Sequence, residues 1–190
     1  MDYLWTPWRY TYIKGSADSA NVRQGVPDSL AAWPGDLHCV FCNLIGALEY
    51  AEQHGMAPAD AEREANVVLR GDYCYICLNA FPYASGHLMI VPYQHQPSLG
   101  DLPTEAAQEM MHLAQRTTRV LTSVYSPHGM NLGMNLGEAA GAGVAGHLHL
   151  HALPRWTGDT NFMTVISETR VLPEDLSETW QRLRDGFNRI

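Results

Sequence analysis

The segment His147-Leu148-His149-Leu150-His151 alternates imidazole and leucine over five consecutive positions. A β-strand turns successive side chains to opposite faces, whereas a helix needs about 3.6 residues to return to the same face. Residues 147–153 are therefore predicted to be a strand with His147, His149 and His151 on one side. Leu148, Leu150 and Ala152 face the other side, toward a core. Any fold for this chain must give that strand an apolar layer on one face and a setting able to hold three imidazoles on the other.

Around this strand the punctuation is dense. Residues 73–78 form a β-rich run ending at Asn79 and Pro82, and residues 87–92 form a second, so the two read as neighbouring strands joined by a short loop. Residues 130–134 and 162–166 supply two more candidates. Thr104 is a candidate helix cap, and Met110, Leu113, Thr117, Val120, Leu121 and Val124 recur at helical spacing behind it. Helix formers between Ala47 and Glu64, broken at Gly55 and Pro58, predict one or two short surface helices. Pro173 followed by 174–189 predicts a closing helix. Strands arriving in hairpin-like pairs with one main helix between them favour an α+β fold, with an antiparallel sheet of about five strands, over βαβ units.

With 190 residues the chain is long enough for one well-filled core. The expected division is an aromatic arm and linker over 1–38, a main domain over 39–166 and a helical extension over 167–190. No run approaches the roughly 18 to 20 apolar residues of a membrane span, and the first residues lack the basic-then-apolar order of a secretory signal. A cytoplasmic protein without a membrane partner is the expectation. The formal charge of −8 disfavours nucleic acid as a partner, so a phosphate ligand has to be held locally.

Three histidines on one face are compatible with catalysis, with a metal-binding face or with polar filling of a sheet. Two features point to phosphorus chemistry. Neutral imidazole is a capable nucleophile near pH 7, and its bond to phosphorus is labile enough to turn over in a second step. The small-residue stretch 137–146 immediately before the strand can bring backbone N–H groups against a phosphate.

The run Gly146-His-Leu-His-Leu-His-Ala-Leu-Pro-Arg155 resembles the signature of the histidine triad (HIT) family, in which three histidines alternate with apolar residues. Asn79-Ala-Phe-Pro-Tyr-Ala-Ser-Gly-His87-Leu-Met-Ile-Val-Pro92 resembles the strand, loop and strand that contact the nucleoside in that family, and the likeness extends over residues 39–156. It implies His149 as a nucleophile that forms a nucleotidyl-histidine, with His151 and His147 assisting at the phosphate. It also implies nucleotide contacts from Asn79, His87, Asn135, Gly143 and Trp156. For Asn79 the plainer reading is a turn residue, and for Asn135 a strand-end cap.

Leu4-Trp5-Thr6-Pro7-Trp8-Arg9 and His151-Ala-Leu-Pro-Arg-Trp156 most resemble the bacterial branch containing diadenosine tetraphosphate phosphorylases and related hydrolases. The implied activity is cleavage of an adenine dinucleoside polyphosphate or AMP ester, in a homodimer. Phosphorylases of that branch carry a small hydroxyl residue in the loop before the triad, whereas Gly141-Ala142-Gly143-Val144 has none. Water therefore stands beside phosphate as a second-step acceptor. Alternatives are a nucleoside phosphoramidate hydrolase, or a non-catalytic nucleotide- or metal-binding module.

Cys39 and Cys42 have the spacing for two thiolates on one face of a metal tetrahedron, with two ligands to come from elsewhere. Some HIT-like proteins hold a structural zinc with such a pair, a histidine just after the second strand and the first triad histidine. The resemblance thus implies Zn2+ on Cys39, Cys42, His95 and His147, with His38 as an alternative ligand and no organic cofactor. Two buried thiols are the plainer reading. Cys74 and Cys77, three apart on a strand, are predicted to face opposite sides and to serve packing.

Overall fold

The computed structural model describes residues 24–159 and 174–190. Among these the secondary structure comprises helix α1 (Val40–Gln53), helix α2 (Pro58–Glu64), strands β1 (Val67–Arg70), β2 (Cys74–Leu78) and β3 (Leu88–Pro92), helix α3 (Thr104–Tyr125), strands β4 (Gly129–Gly133) and β5 (Leu150–Arg155), and helix α4 (Leu176–Arg189). The strands form one sheet in the order β1-β2-β3-β5-β4, every pairing antiparallel. The fold is α+β, as the element pattern predicts.

Alternation organises the two layers. Cys74, Ile76 and Leu78 of β2 and Leu88 and Ile90 of β3 face α3 and α4, joined there by Leu148 and Leu150. Tyr75, Cys77, Met89 and Val91 point to the other face, against Phe41, Ala47 and Leu48 of α1. Burial on both faces explains why β2 and β3 read as continuous apolar runs. Cys74 and Cys77 do fall on opposite sides, and burial pushes each thiol up to about 12, consistent with packing residues.

Of the periodic set read from the sequence, helix α3 buries Met110, Leu113, Thr117, Val120 and Leu121, and Val124 packs partly buried against the same core. It begins at Thr104, with Pro103 as its boundary residue and no side-chain cap bond. Helix α4 is capped by Asp175, whose carboxylate accepts from the Glu178 N–H at 2.8 Å. Its Trp180, Leu183 and Phe187 enter the main core, and the Trp180 indole donates to Val67 O at 2.8 Å.

Four elements meet at a buried ion network. Glu62 of α2, only 5% exposed, accepts from Arg70 of β1 at 2.8 Å and from Arg184 of α4 at 2.7 Å. Arg70 also reaches Glu52 of α1 at 2.7 Å. At the turn that follows Arg70, the Glu109 carboxylate accepts three backbone N–H groups, from Asp72, Tyr73 and Cys74, at 2.6 to 2.9 Å. This ties the β1–β2 turn to α3.

The structure differs from the sequence reading in several places. Helix α1 starts at Val40, so Cys42 lies in its first turn, and packing begins upstream of Cys39 because Leu30 is buried with Val26 and Trp33 beside it. The strand before Tyr73, β1, is not apparent from the sequence: four residues are too few to establish a period. The expected strand over 162–166, the expected linker up to residue 23 and the aromatic start lie outside the described residues. Pairing of β5 starts at Leu150 rather than 147. In the register that pairs Ile90 with Leu150, Leu148 falls opposite Pro92, which has no N–H to donate.

Candidate active site

His151 is the first histidine within the β5 ladder, paired with Met89 of β3 on one side and Gly133 of β4 on the other. His147 and His149 precede the ladder, and Phe41 of α1 covers both, its ring centroid 5.4 Å from His147 and 5.0 Å from His149. The loop 134–146 leaves the sheet beside His151 and returns at His147, so both its ends lie at the histidine end of β5.

Hydrogen bonds assign the tautomers. His149 Nδ1–H donates to the carbonyl of His147 at 2.9 Å, so the lone pair of the neutral ring sits on Nε2. Burial lowers the His149 pKa from its ordinary 6.5, which keeps the ring neutral at pH 7. The Tyr83 N–H donates to His87 Nδ1 at 3.1 Å, placing the His87 proton on Nε2. That proton is donated to His151 Nδ1 at 3.0 Å, and neutral His151 therefore carries its own proton on Nε2. The ring centroids of His149 and His151 are 4.8 Å apart. One imidazole is thus set as a lone-pair donor and its neighbour as a hydrogen-bond donor.

The third histidine faces elsewhere. His147 Nε2–H donates to Pro92 O at 2.9 Å, while its Nδ1 lies 3.3 Å from Cys39 Sγ and 3.5 Å from Cys42 Sγ. Cys42 Sγ is also 3.4 Å from His95 Nδ1. One ligand atom from each of Cys39, Cys42, His95 and His147 lies within 4.8 Å of the others. Bonds of about 2.3 Å to sulfur and about 2.0 Å to nitrogen at tetrahedral angles separate the two kinds of atom by about 3.5 Å, so this cluster fits a four-coordinate divalent metal. Burial and the neighbouring Cys39 push the Cys42 thiol up to about 12, so two thiolates share this corner only with a cation between them.

A HIT domain model matches residues 60–158, and AP-4-A phosphorylase from Mycobacterium tuberculosis is 38% identical over 189 residues, covering 100% of this chain and 86% of that protein. The chain belongs to the HIT family. A Zn-bound histidine triad family protein from Mycobacterium smegmatis superimposes with a TM-score of 0.59 at 27% identity, covering 82% of this chain and 96% of that one. A hypothetical histidine triad nucleotide-binding protein from Sulfolobus tokodaii shares the fold at a TM-score of 0.58 and 20% identity, over 80% of this chain and 93% of its own.

The remaining site residues of this HIT protein are distributed unevenly. Asn79 is half-exposed at the head of the loop carrying Tyr83 and His87; its Oδ1 accepts from the Phe81 N–H at 2.9 Å, as a turn residue does, and its Nδ2 lies 3.4 Å from His87 Nδ1. Asn135 spans the glycine-rich loop, donating to Gly141 O at 3.4 Å. Gly143 is exposed on the same loop. The structure does not bring Trp156 to this group. It follows the last residue of β5, edge-on to Tyr125 with centroids 6.3 Å apart. Five residues at about 3.3 Å each place it about 16 Å along the strand from His151. His38, the alternative ligand, is exposed beside Asp36 at 3.4 Å.

Sequence reading missed Phe41, whose only signal is its place between the two cysteines, and the Tyr83 N–H and Pro92 O, which carry none because backbone groups are common to every residue. Gly86 is a local requirement. Its φ is +78°, and an added Cβ would lie 2.8 Å from the Tyr125 ring. Gly86→Ala is expected to cost about 1–2 kcal/mol from the left-handed backbone alone, and to displace His87. Thermal melts and turnover check this; an unchanged melting temperature would contradict it.

Proposed function

We propose that this HIT-family nucleotide-processing enzyme cleaves a dinucleoside polyphosphate in two displacements through His149. The observation that carries the reading is the His149 Nδ1–H bond to His147 O, which leaves Nε2 as the nucleophile. Nε2 attacks the α-phosphorus; the N–P bond forms as the P–O bond to the leaving polyphosphate breaks. The leaving oxygen departs as an anion and accepts a hydrogen bond from His151 Nε2–H, whose tautomer His87 maintains. Water or phosphate then attacks the same phosphorus, the N–P bond breaks and His149 is restored. Asn79, Asn135 and Gly143 supply the nucleotide contacts. His147 is assigned to the metal cluster rather than to the phosphate.

The likeness to AP-4-A phosphorylase over the full chain supports the substrate class. Diadenosine tetraphosphate incubated with and without inorganic phosphate tests it. ATP plus ADP marks phosphorolysis, and ATP plus AMP marks hydrolysis. Turnover of adenosine phosphoramidates with none of diadenosine tetraphosphate would replace this reading with a phosphoramidate hydrolase.

Zinc is the proposed metal, held by Cys39, Cys42, His95 and His147 as a closed structural site in a reducing, cytoplasmic setting. Metal analysis is expected to find one zinc per chain, lost in Cys39→Ala and retained in His149→Ala. The opposite pattern would favour a metal face built by the triad. A homodimer is proposed through β4, an edge strand of the sheet among the described residues, with Leu132 exposed on it.

A further inference from the structure

We infer that His147 is a positioning residue for the nucleophile, and that filling the Cys39/Cys42/His95/His147 cluster with a metal ion sets the orientation of His149. The inference rests on the two-displacement reading above. It starts from the peptide between His147 and Leu148. Its carbonyl accepts the His149 Nδ1–H at 2.9 Å, and its N–H donates to Gln96 O at 2.7 Å. This peptide lies outside the β5 ladder, which begins at Leu150, and it follows a loop containing Gly141, Gly143 and Gly146. Strand pairing therefore does not hold the carbonyl that orients the nucleophile.

What holds it instead converges on the cluster from three directions. The His147 ring is tied at both nitrogens, to Pro92 O and to the cysteine sulfurs. Gln96, the acceptor for the same peptide's N–H, directly follows the cluster residue His95. Phe41, which covers the His149 ring at 5.0 Å, lies between Cys39 and Cys42. Each segment that brings ligands to the cluster thus also places a group that restrains His149. With the cluster unbound, two thiols and two imidazoles have no common partner, and the pieces lose the tie that keeps them in register. Groups that orient the ligands of a site are worth about 10–100-fold in activity where they have been removed elsewhere.

The test uses full-length protein labelled with 15N-histidine, zinc-loaded, stripped by a chelator and reloaded, alongside Cys42→Ser. Long-range proton–nitrogen correlations read the His149 tautomer without substrate, far-UV circular dichroism reads the fold, and single-turnover quench reads formation of the nucleotidyl-histidine. The expected result is one Nδ1–H tautomer with zinc, a mixture of both tautomers without it, retained secondary structure, and a covalent step slowed about 10–100-fold that recovers on adding zinc back. An unchanged His149 tautomer after zinc loss, a wild-type chain that takes up no zinc, or collapse of the whole fold on stripping would each overturn the coupling. A zinc-dependent tautomer in a protein inactive on diadenosine tetraphosphate would sink the proposed substrate and leave the coupling standing.

Discussion

Replacing His149 with alanine is expected to remove the covalent step altogether. With substrate labelled at the α-phosphate and a quench in base, wild type retains label on the protein and His149→Ala retains none. Turnover falls by about four to six orders of magnitude, the scale seen when a residue that forms or activates the nucleophile is deleted. The size of the effect follows from geometry. His147 has both ring nitrogens committed to Pro92 O and the cysteines, and His151 carries its proton on Nε2, so neither neighbour presents a lone pair in place of the lost one. Zinc content should stay close to wild type, because His149 is outside the metal cluster. A heavily labelled His149→Ala protein would sink the assignment.

The largest stability effect is expected at Glu62→Ala. Glu62 is 5% exposed and holds one arginine on each carboxylate oxygen, Arg70 through Oε1 and Arg184 through Oε2. Its removal leaves two guanidinium groups in partly buried positions with a partner missing from each. Breaking a buried pair on one side costs about 3–5 kcal/mol. In a chain of this size, at about 2–4 °C per kcal/mol, the melting temperature should fall by on the order of 10 °C. Arg70 keeps Glu52 at 2.7 Å and Arg184 keeps Val68 O at 2.7 Å, which places the cost toward the lower end of that range. Denaturant unfolding checks it, and a loss below about 1 kcal/mol would mean that the network is solvated enough to be dispensable.

Much of the fold is legible in the sequence. Helix α3 followed from apolar residues at helical spacing, and β2 and β3 followed from β-rich runs bounded by turn residues. Opposite faces for Cys74 and Cys77 followed from their three-residue separation on a strand. What escaped was short or depended on partners. β1 shows its strand character only through its pairing with β2. The β5 ladder starts later than alternation predicts because the missing donor is on another strand, at Pro92.

The same division runs through the site. The sequence by itself determined that three histidines share a face, that a glycine-rich loop leads into them and that a Cys-x-x-Cys pair stands far upstream, since alternation and spacing are properties of local backbone geometry. Alternation alone leaves the three histidines equivalent, and only the family resemblance implies a nucleophile at His149 and a zinc ligand at His147. The tertiary structure gives each of them different neighbours, by placing Cys39, at the N-terminal boundary of α1, and Cys42 in its first turn beside His147, and the Asn79–His87 loop beside His151. The contact between Cys39 and His147 spans 108 residues. Nothing local encodes it, because the chain meets itself there only after the sheet is assembled and α1 is docked on it. The role of each imidazole is then decided by which acceptor or donor lies at its second nitrogen, and that neighbour is supplied by packing.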